Sequence, residues 1–380
     1  MGVKIVVFGA GLVGSVIARD LAREWDVEVT VADGSDARVK QLTSEARVKG
    51  IVEDLSKPGT IRQIASDFDM AVGALPGFMG KSMVKQVIEA GRNIVDISFS
   101  PEDYRDLDGL AREKGVTAVI DCGVAPGMSN ILVARGASVL DEPESAVIYV
   151  GGLPQVRHWP YEYKIVFSPI DVIEEYTRPA RVVENGNVVA KPALSELELI
   201  DFPGIGTLEA FNTDGLRTLV DTVKIPNMKE KTLRFPGHAE KMRILRETGF
   251  FGYDPVDVNG VQVRPIDVTA RLLFPLWEMK EGDRDFTVMR VEVEGKKGGR
   301  KVRCVWEMVD YYDEKTGTTS MARTTGYTAS VIARFLAAGV FKHKGICPPE
   351  LIATDENAFR LLLAELEAKG IIYREKIIEI

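Results

Sequence analysis

Residues Val3–Gly14 have the sequence V-K-I-V-V-F-G-A-G-L-V-G, and this stretch decides the fold of the first part of the chain. Its apolar run predicts a β-strand that stops at Gly9, and the apolar spacing from Val13 to Ala22 predicts a helix. A second apolar run, Val27–Ala32, predicts another strand and is followed by Asp33. A G-x-G-x-x-G segment between strand and helix, with an acidic residue about 20 positions further on, is typical of a dinucleotide-binding βαβ unit.

The three glycines of this segment have separate physical roles. Gly9 permits a tight turn, Gly11 lets a pyrophosphate approach the backbone, and Gly14 lets the helix pack closely on the strand. The first N–H groups of the helix, at Leu12 and Val13, then point at the phosphates. The alternative is an ordinary βαβ unit that binds no ligand.

The acidic residue at the end of the second strand indicates which dinucleotide is bound. Asp33 would accept hydrogen bonds from the adenosine ribose hydroxyls, whereas the 2′-phosphate of NADP would meet a like charge. We therefore expect NAD as the cofactor. Arg38 could instead turn toward a phosphate and weaken this preference.

The composition of the chain narrows its class. Its 380 residues suggest two or three domains, and 45% hydrophobic with 27% charged residues is typical of a globular protein without membrane spans. The net charge of −8 argues against nucleic acid or an anionic membrane as a partner. A strand begins at Val3, so we expect no secretory signal, and three scattered cysteines without zinc spacing suit a reduced, cytoplasmic protein.

Short apolar strands alternate with amphipathic helices through the first third of the chain. This alternation predicts an α/β domain with a doubly wound parallel sheet, the Rossmann type, over residues 1–127. Ligands of such sheets bind beyond the carboxyl ends of the strands. Besides the glycine loop and Asp33, the predicted cofactor contacts at that edge are Asp54, Leu55, Ala74, Leu75 and Pro76. The predicted helices of this part are Lys57–Ser66, Ser82–Ala90 and Pro101–Lys114.

The pattern changes after a predicted helix at Met128–Leu140. Strands become frequent and irregularly spaced, which predicts a second, α+β domain with a largely antiparallel sheet. Its predicted strands are Val147–Val150, Lys164–Phe167, Arg181–Val183, Asn187–Ala190, Thr287–Glu294 and Lys301–Tyr311, with helices near His238–Thr248 and Asp267–Phe274. The last part of the chain is predicted to hold helices at Tyr327–Ala338 and Glu356–Lys369 and a strand at Ile371–Ile378.

Five segments carry a resemblance to known proteins: Asp121–Asn130 (D-C-G-V-A-P-G-M-S-N), Tyr149–Pro154, Leu208–Gly215, Pro236–Lys241 and Met321–Thr328. Together they resemble the saccharopine dehydrogenase-like family, and within it the lysine 6-dehydrogenase branch. The resemblance covers nearly the whole chain. It implies that residues 128–325 form a substrate and dimerisation domain inserted in the Rossmann domain, to which residues 326–380 return.

The resemblance implies oxidative deamination of a small amino-acid substrate. Enzymes of this branch use NAD to oxidise the ε-amino group of L-lysine to the 6-semialdehyde, which cyclises to Δ1-piperideine-6-carboxylate, and they release NADH and ammonia. The reaction needs no metal. Such enzymes are homodimers or higher homo-oligomers, with dimers usually built through the sheet of the second domain.

Two other functions stay open. Leu216–Leu219 (L-R-T-L) departs from the lysine dehydrogenases, which have smaller polar residues there. The additional arginine in this segment, Arg217, suits a substrate with a further carboxylate, such as saccharopine. A saccharopine dehydrogenase-type C–N oxidoreductase is therefore one alternative. The other is a non-catalytic NAD-binding sensor, which would bind the cofactor without reducing it.

The implied reaction needs a proton acceptor, and three residues are candidates for catalysis. His238 follows Pro236 and Gly237 at a predicted helix start, where the helix dipole lowers the pKa of an imidazole. A capping or core histidine is the alternative. Asp96 and Asp121 end strands at the cofactor edge, where each could hold an ammonium group or only cap the next helix.

Substrate binding requires partners for a carboxylate and an ammonium group. Arg217 is the candidate for the carboxylate, through two parallel hydrogen bonds, and an exposed surface charge is the alternative. By resemblance, Glu209 and Tyr163 lie near the substrate, where Glu209 suits an ammonium group; a structural hydrogen bond is the alternative for each. The predicted substrate-binding set is Arg217, Glu209, Tyr163, Thr213, Asp214 and Arg323.

Overall fold

The computed structural model of the protein describes residues 2–24 and 26–380. The chain forms two compact units. The first comprises the residues up to Ser138 together with Ala322–Tyr373, and the second comprises Val139–Met321 together with Arg374–Ile380. The predicted domain limits differ from these, because nearly all of the helix that starts at Met128 belongs to the first unit and the C-terminal strand belongs to the second.

The first unit opens with alternating strands and helices. They are β1 (Val3–Phe8), α1 (Leu12–Leu21), β2 (Val27–Asp33), α2 (Asp36–Glu45), β3 (Val48–Val52), α3 (Thr60–Ala65), β4 (Met70–Gly73), α4 (Gly77–Glu89), β5 (Asn93–Asp96), a 3-10 turn (Arg105–Leu107), α5 (Asp108–Glu113), β6 (Thr117–Val119) and α6 (Met128–Val139).

The second unit follows directly. Its elements are β7 (Glu142–Pro154), α7 (Pro169–Thr177), β8 (Ala180–Glu184), β9 (Asn187–Lys191), β10 (Glu198–Phe202), β11 (Gly206–Asn212), α8 (Leu219–Thr222), β12 (Asn227–Arg234), α9 (His238–Glu247), β13 (Val256–Val258), β14 (Val261–Val263), α10 (Pro265–Trp277), β15 (Asp285–Lys297) and β16 (Arg300–Tyr311). The chain ends with α11 (Ser320–Ala337), β17 (Gly345–Cys347), α12 (Glu350–Ala353), α13 (Glu356–Ala368) and β18 (Arg374–Glu379).

The sheet of the first unit is doubly wound. Over the described residues it has seven strands in the order β17-β6-β5-β4-β1-β2-β3, and the strands run parallel. The chain starts in the middle at β1, passes to one edge through β2 and β3, and then crosses to β4 on the other side of β1. The predicted Rossmann fold is therefore confirmed, with its change of direction between β1 and β4, where such sheets bind ligands.

The sheet of the second unit is mixed but mainly antiparallel, as predicted. Its main path, over the described part of the chain, is β10-β11-β12-β7-β15-β16-β18, and β8 and β9 bring it to nine strands. One pair, β7 with β12, is parallel. The long strands β15 and β16 form a hairpin whose register runs from Phe286 opposite Tyr311 to Lys297 opposite Arg300.

A buried carboxylate ties the returning helices to the start of the first unit. Asp20 on α1 lies 2.7 Å from the Lys369 Nζ atom and 3.0 Å from an Nη atom of Arg334, and Ser330 donates a hydrogen bond to it. Burial alone would raise the pKa of Asp20, but Lys369 and Arg334 outweigh that effect and hold it below its usual value. The ion pairs therefore fix α11 and the end of α13 against α1.

Two predicted elements have different structures. Lys164–Phe167 is not a strand, because its residues pack beside α10 instead of pairing in a sheet: Ile165 is buried and its N–H donates to the carbonyl of Trp277. The predicted helix Pro101–Lys114 is a 3-10 turn followed by the short α5.

Candidate functional site

The glycine loop between β1 and α1 has the three roles that the sequence predicts. Gly9 adopts a φ of +108°, and a Cβ there would lie 2.5 Å from the Ala74 carbonyl oxygen. A Cβ on Gly14 would lie 2.1 Å from the Gly9 carbonyl oxygen. A Cβ on Gly11 would meet no atom within 4 Å, so this glycine borders open space at the start of α1. The open space beside Gly11, the backbone of the glycine loop and the start of α1 therefore fit the pyrophosphate of a dinucleotide.

Asp33 at the end of β2 is held against this loop. One carboxylate oxygen accepts a hydrogen bond from the Ala10 N–H (2.7 Å), and the other accepts one from the Ser35 N–H (2.7 Å). The side chain of Ser35 in turn caps α2 by accepting from the Arg38 N–H. The carboxylate is thus oriented by backbone on both sides, in the position from which ribose hydroxyls are bound in this fold.

Register brings the other predicted cofactor residues to the same edge of the sheet. Phe8 lies opposite Ala32 and Gly73, and Gly73 lies opposite Asp96. Ala74, Leu75 and Pro76 therefore follow β4 beside the glycine loop, and the Ala74 N–H donates to the Phe8 carbonyl oxygen (2.8 Å).

Asp54 and Leu55, which follow shortly after β3, differ in their surroundings. Leu55 packs in the hydrophobic core of the first unit. Asp54 is exposed, and hydrogen bonds from the side chain and backbone of Ser56 lower its pKa. Of this pair, only Asp54 presents a polar group to solvent.

Asp96 is fully buried at the end of β5. One carboxylate oxygen accepts from the Ser98 hydroxyl (2.8 Å) and N–H (3.1 Å), and the other accepts from the Tyr104 hydroxyl (2.8 Å). Burial, helped by the charge of Asp121, outweighs these bonds and raises the pKa of Asp96 to about 7. Asp121 is also buried, and its φ of +50° is unusual for a residue other than glycine.

His238 starts α9, as predicted, but the residue is only 1% exposed. The Nδ1 atom lies 2.9 Å from the Tyr161 carbonyl oxygen and must donate to it, so Nε2 accepts from the Tyr176 hydroxyl (2.9 Å). Burial first, and then the charge of Arg234, lower the pKa of His238 to about 3. These contacts favour a structural role over the predicted role as proton acceptor, which stays a prediction.

Glu209 on β11 caps α9. Its carboxylate oxygens accept from the Gly237 N–H (3.1 Å) and the Ala239 N–H (2.8 Å), which are among the helix-start donors that need acceptors. These bonds favour a structural role for Glu209, and its predicted role in binding an ammonium group stays a prediction.

The segment after β11 forms a buried polar network. Asp214 makes a two-point ion pair with Arg181 (2.8 and 3.1 Å), and the Thr213 hydroxyl lies 2.8 Å from that of Thr232. Arg217 is buried with a φ of +52°, so it is not the exposed surface charge considered as its alternative.

Three buried charged residues of β12, Glu230, Lys231 and Arg234, were not predicted from the sequence. Glu230 accepts a hydrogen bond from Thr213, and burial raises its pKa to about 8. Arg234 pairs with Glu175, and its guanidinium carbon lies 4.6 Å from the centre of the Tyr163 ring. Polar residues at every second position of Glu230–Arg234 were the available signal, since they mark one face of a strand.

Tyr163 and Arg323 lie in different units. Tyr163 is buried in the second unit, with its ring beside those of His238 and Trp277. Arg323 belongs to the first unit, where it donates to the Lys369 carbonyl oxygen (3.0 Å). Across residues 2–24 and 26–380, we find no group of three or more His, Cys, Asp or Glu side chains arranged to hold a metal ion. Over the same residues, no helix has both the length and the apolar character needed to span a lipid bilayer.

These features define a pyridine-nucleotide-binding protein of the Rossmann class with a second domain. Two family models match the chain: the saccharopine dehydrogenase NADP binding domain over residues 5–119, and the saccharopine dehydrogenase C-terminal domain over residues 123–371. The chain belongs to the saccharopine dehydrogenase family.

Individual relatives are distant. The chain is 22% identical to the Schizosaccharomyces pombe saccharopine dehydrogenase [NADP(+), L-glutamate-forming], with 99% of each chain covered. It is 21% identical to the mitochondrial alpha-aminoadipic semialdehyde synthase of Bos taurus, where 97% of this chain spans 47% of that protein, about half its length. The structure of apo saccharopine dehydrogenase (L-Glu forming) from Saccharomyces cerevisiae superposes with a TM-score of 0.82 at 19% identity, covering 99% of this chain and 100% of that one. The shared fold is therefore shown over the full length.

Proposed function

We propose that the protein is an NAD-dependent oxidoreductase that removes the ε-amino group of L-lysine. The observation that carries the redox part is the glycine loop, in which Gly9 and Gly14 are required by packing while Gly11 borders open space. Family membership supports an amino-acid C–N bond as the point of attack. The choice of lysine is supported by the segments that resemble lysine 6-dehydrogenases.

The choice of NAD over NADP rests on Asp33. The relatives and the matching nucleotide-domain model carry NADP in their names. In this chain, however, a carboxylate ends β2 and is oriented by the Ala10 and Ser35 N–H groups. A 2′-phosphate placed there would be repelled by a fixed like charge.

The reaction requires a proton acceptor near the cofactor edge. Lysine must lose a proton from its ε-ammonium group, whose pKa is about 10.4, before hydride can leave the adjacent carbon. The bound nicotinamide supplies the hydride acceptor. Asp96 is the better candidate for handling the proton, because it ends β5 and burial raises its pKa to about 7, whereas burial lowers the pKa of His238 to about 3.

Substrate recognition falls to residues of the second unit. Arg217 is the proposed partner of the substrate α-carboxylate, since a guanidinium matches a carboxylate in two parallel bonds. Thr213 and Tyr163 are proposed to line the same region, and Asp121 of the first unit is the second candidate for holding a proton or an ammonium group. Asp214 and Glu209 are engaged with Arg181 and α9, so we propose that they position neighbouring residues.

A saccharopine-type reaction is the second candidate, because relatives that match this chain over its whole length carry that name. The test is a panel of amino acids with NAD and NADP, read by NADH or NADPH absorbance and by product analysis. Lysine oxidation releases ammonia, whereas saccharopine oxidation of the glutamate-forming type releases glutamate. Tight NAD binding without reduction by any substrate would instead indicate a sensor and overturn the proposal.

A further inference from the structure

The Ser98 hydroxyl lies between two acceptors but has only one proton to donate. Its Oγ atom is 2.8 Å from the Asp96 Oδ1 atom and 3.1 Å from the Leu75 carbonyl oxygen. A hydroxyl proton points at one acceptor at a time if the hydrogen bond is to be well aligned. Ser98 therefore has two states, in which it donates either to the carboxyl that ends β5 or to the carbonyl in the loop after β4.

The proton on Asp96 selects between these two states. An ionised Asp96 attracts the Ser98 hydroxyl, because a hydrogen bond to a carboxylate is stronger than one to a neutral carbonyl. A protonated Asp96 instead needs an acceptor for its own proton. Tyr104 donates to Oδ2 (2.8 Å), so that proton belongs on Oδ1 and is donated to Ser98, which then donates to Leu75.

Two glycines provide the space that this cluster occupies. A Cβ on Gly73 would lie 2.5 Å from the Asp96 Oδ1 atom. A Cβ on Gly80 would lie 2.6 Å from the Ser98 Cβ atom and 2.7 Å from the Tyr104 hydroxyl oxygen. Asp96, Ser98 and Tyr104 are at most 3% exposed. Because close packing holds these side chains in place, rotation of one hydroxyl proton is enough to change the state.

The groups that face Asp96 leave its two forms close in free energy near neutral pH. Burial, helped by the negative charge of Asp121 after β6, raises the pKa of Asp96 to about 7 against the hydrogen bonds that favour its charge. The neighbouring Cys122 thiol is neutral, because burial raises its pKa far above the usual value. Strand β4 and helix α4 meet the cluster with uncharged residues, Gly73, Gly80 and Met83. A bound ligand can therefore select one form of Asp96.

Leu75 connects this cluster to the cofactor edge. It is a predicted cofactor contact, and a Cβ on Gly9 in the glycine loop would lie 3.5 Å from its Cδ2 atom. A carbonyl oxygen that already accepts from Ser98 is a poorer acceptor for a second donor. With Asp96 ionised, Ser98 turns away from Leu75, and the Leu75 carbonyl is available to a hydrogen-bond donor of the dinucleotide.

We propose that Ser98 is a positioning residue of the cofactor site, whose hydroxyl links the proton on Asp96 to the hydrogen-bond acceptor that Leu75 offers to the dinucleotide. Binding of the dinucleotide then selects the ionised Asp96. The O–H bond of the carboxyl breaks, and its proton passes to the buffer. This proposal deepens the proposed function and rests on its cofactor site, but it does not depend on which substrate is oxidised.

Proton release on NAD binding tests the link. Titration calorimetry at pH 7, in buffers of different ionisation enthalpy, gives the number of protons released per NAD bound. If NAD prefers the ionised form about tenfold, we expect the wild type to release about 0.4 protons. Its Kd for NAD should then be about fivefold lower at pH 8 than at pH 6.

Three variants separate this link from a general change in the loop. Ser98→Ala removes the hydroxyl, and Asp96→Asn keeps the shape of the protonated carboxyl without a proton to release. Ser100→Ala is the matched control, because this buried serine of the same loop accepts from the Glu102 N–H (3.1 Å). We expect proton release from the wild type and Ser100→Ala only, and a Kd independent of pH in the other two. Circular dichroism should be the same for all four proteins.

Wild-type binding of NAD without proton release would overturn the proposal, as would equal release by the wild type and Ser98→Ala. The substrate plays no part in these titrations, so the two proposals can fail separately. Proton release that depends on Ser98, in a protein that oxidises no lysine, would support the link and overturn only the proposed function.

Discussion

Gly11 lies at the N-terminal cap of α1 and Gly14 lies in its first turn, yet they meet opposite constraints. A Cβ on Gly11 has free space, whereas a Cβ on Gly14 would overlap the Gly9 carbonyl. We expect Gly11→Val to fold with the stability of the wild type and to lose NAD binding. Gly14→Ala should lower the free energy of unfolding by about 1–3 kcal/mol. Urea unfolding and NAD titration measure the two effects. Normal NAD binding by a folded Gly11→Val protein would remove the loop from the site.

Asp33 sets the cofactor preference at the residue scale. Asp33→Asn keeps the size of the side chain and removes its charge, so the affinity ratio of NAD to NADP should fall by about tenfold. Asp36→Asn, at an exposed position on α2, is the control and should leave the ratio unchanged. Fluorescence titration with each dinucleotide gives the ratio. A wild type that binds both equally well would refute the assignment.

Residue roles were predictable where the backbone alone determines them. The glycines and Asp33 follow from the geometry of a strand, turn and helix that adjoin in sequence. The partners of His238 and Glu209 were not predictable, because Tyr176, Tyr161 and Gly237 reach them only after the second sheet and its helices have packed. The burial of Glu230 could likewise not be predicted, because it arises only when the second unit has packed.

At the scale of elements, Glu209 is tested as the cap of α9. Glu209→Ala removes the acceptor of two helix-start N–H groups and should lower the free energy of unfolding by about 1–2 kcal/mol, while Glu209→Gln, which keeps one oxygen acceptor, should lose less. Glu281→Ala, at an exposed turn, is the control. Chemical denaturation gives the values. A raised KM for lysine with unchanged stability would instead restore Glu209 as a substrate ligand.

Element prediction succeeded where periodicity was strong. The alternating strands and helices of the first unit predicted its parallel sheet, and the predicted strands Thr287–Glu294 and Lys301–Tyr311 lie within β15 and β16. Strand β12 was missed because its charged residues, Glu230 and Arg234 among them, resemble a surface segment and are buried only by pairing in the network. Apolar Lys164–Phe167 was wrongly predicted as a strand because core packing and strand pairing leave the same apolar signal.

At the scale of the whole molecule, buried carboxyls in both units give stability a common dependence on pH. The pKa of Asp96 is raised to about 7, of Glu230 to about 8 and of Asp285 to about 6, each mainly by burial. A folded-state pKa above the unfolded value means that the folded protein binds the proton more tightly. The stabilisation from each group is complete below its unfolded pKa and is lost as pH rises through the folded pKa.

Glu230→Gln tests this dependence. The amide imitates the protonated carboxyl. Between about pH 5 and about pH 8, the free energy of unfolding should therefore fall less for the variant than for the wild type, with a difference on the order of a few kcal/mol. Glu240→Gln, an exposed residue of α9, should follow the wild type. Urea midpoints across this range provide the comparison. Parallel pH profiles for wild type and Glu230→Gln would show that Glu230 is ionised in the folded protein.

The central claim is that hydride leaves the ε-carbon of lysine for NAD. L-Lysine deuterated at the ε-carbon, incubated with the protein and NAD, tests this by mass spectrometry of the reduced cofactor, with α-deuterated lysine as the control. The account predicts deuterium in the reduced nicotinamide from the ε-labelled substrate only, with one ammonia released per cofactor reduced. Reduced cofactor that carries deuterium from the α-labelled substrate, or no reduction with lysine at all, would contradict it.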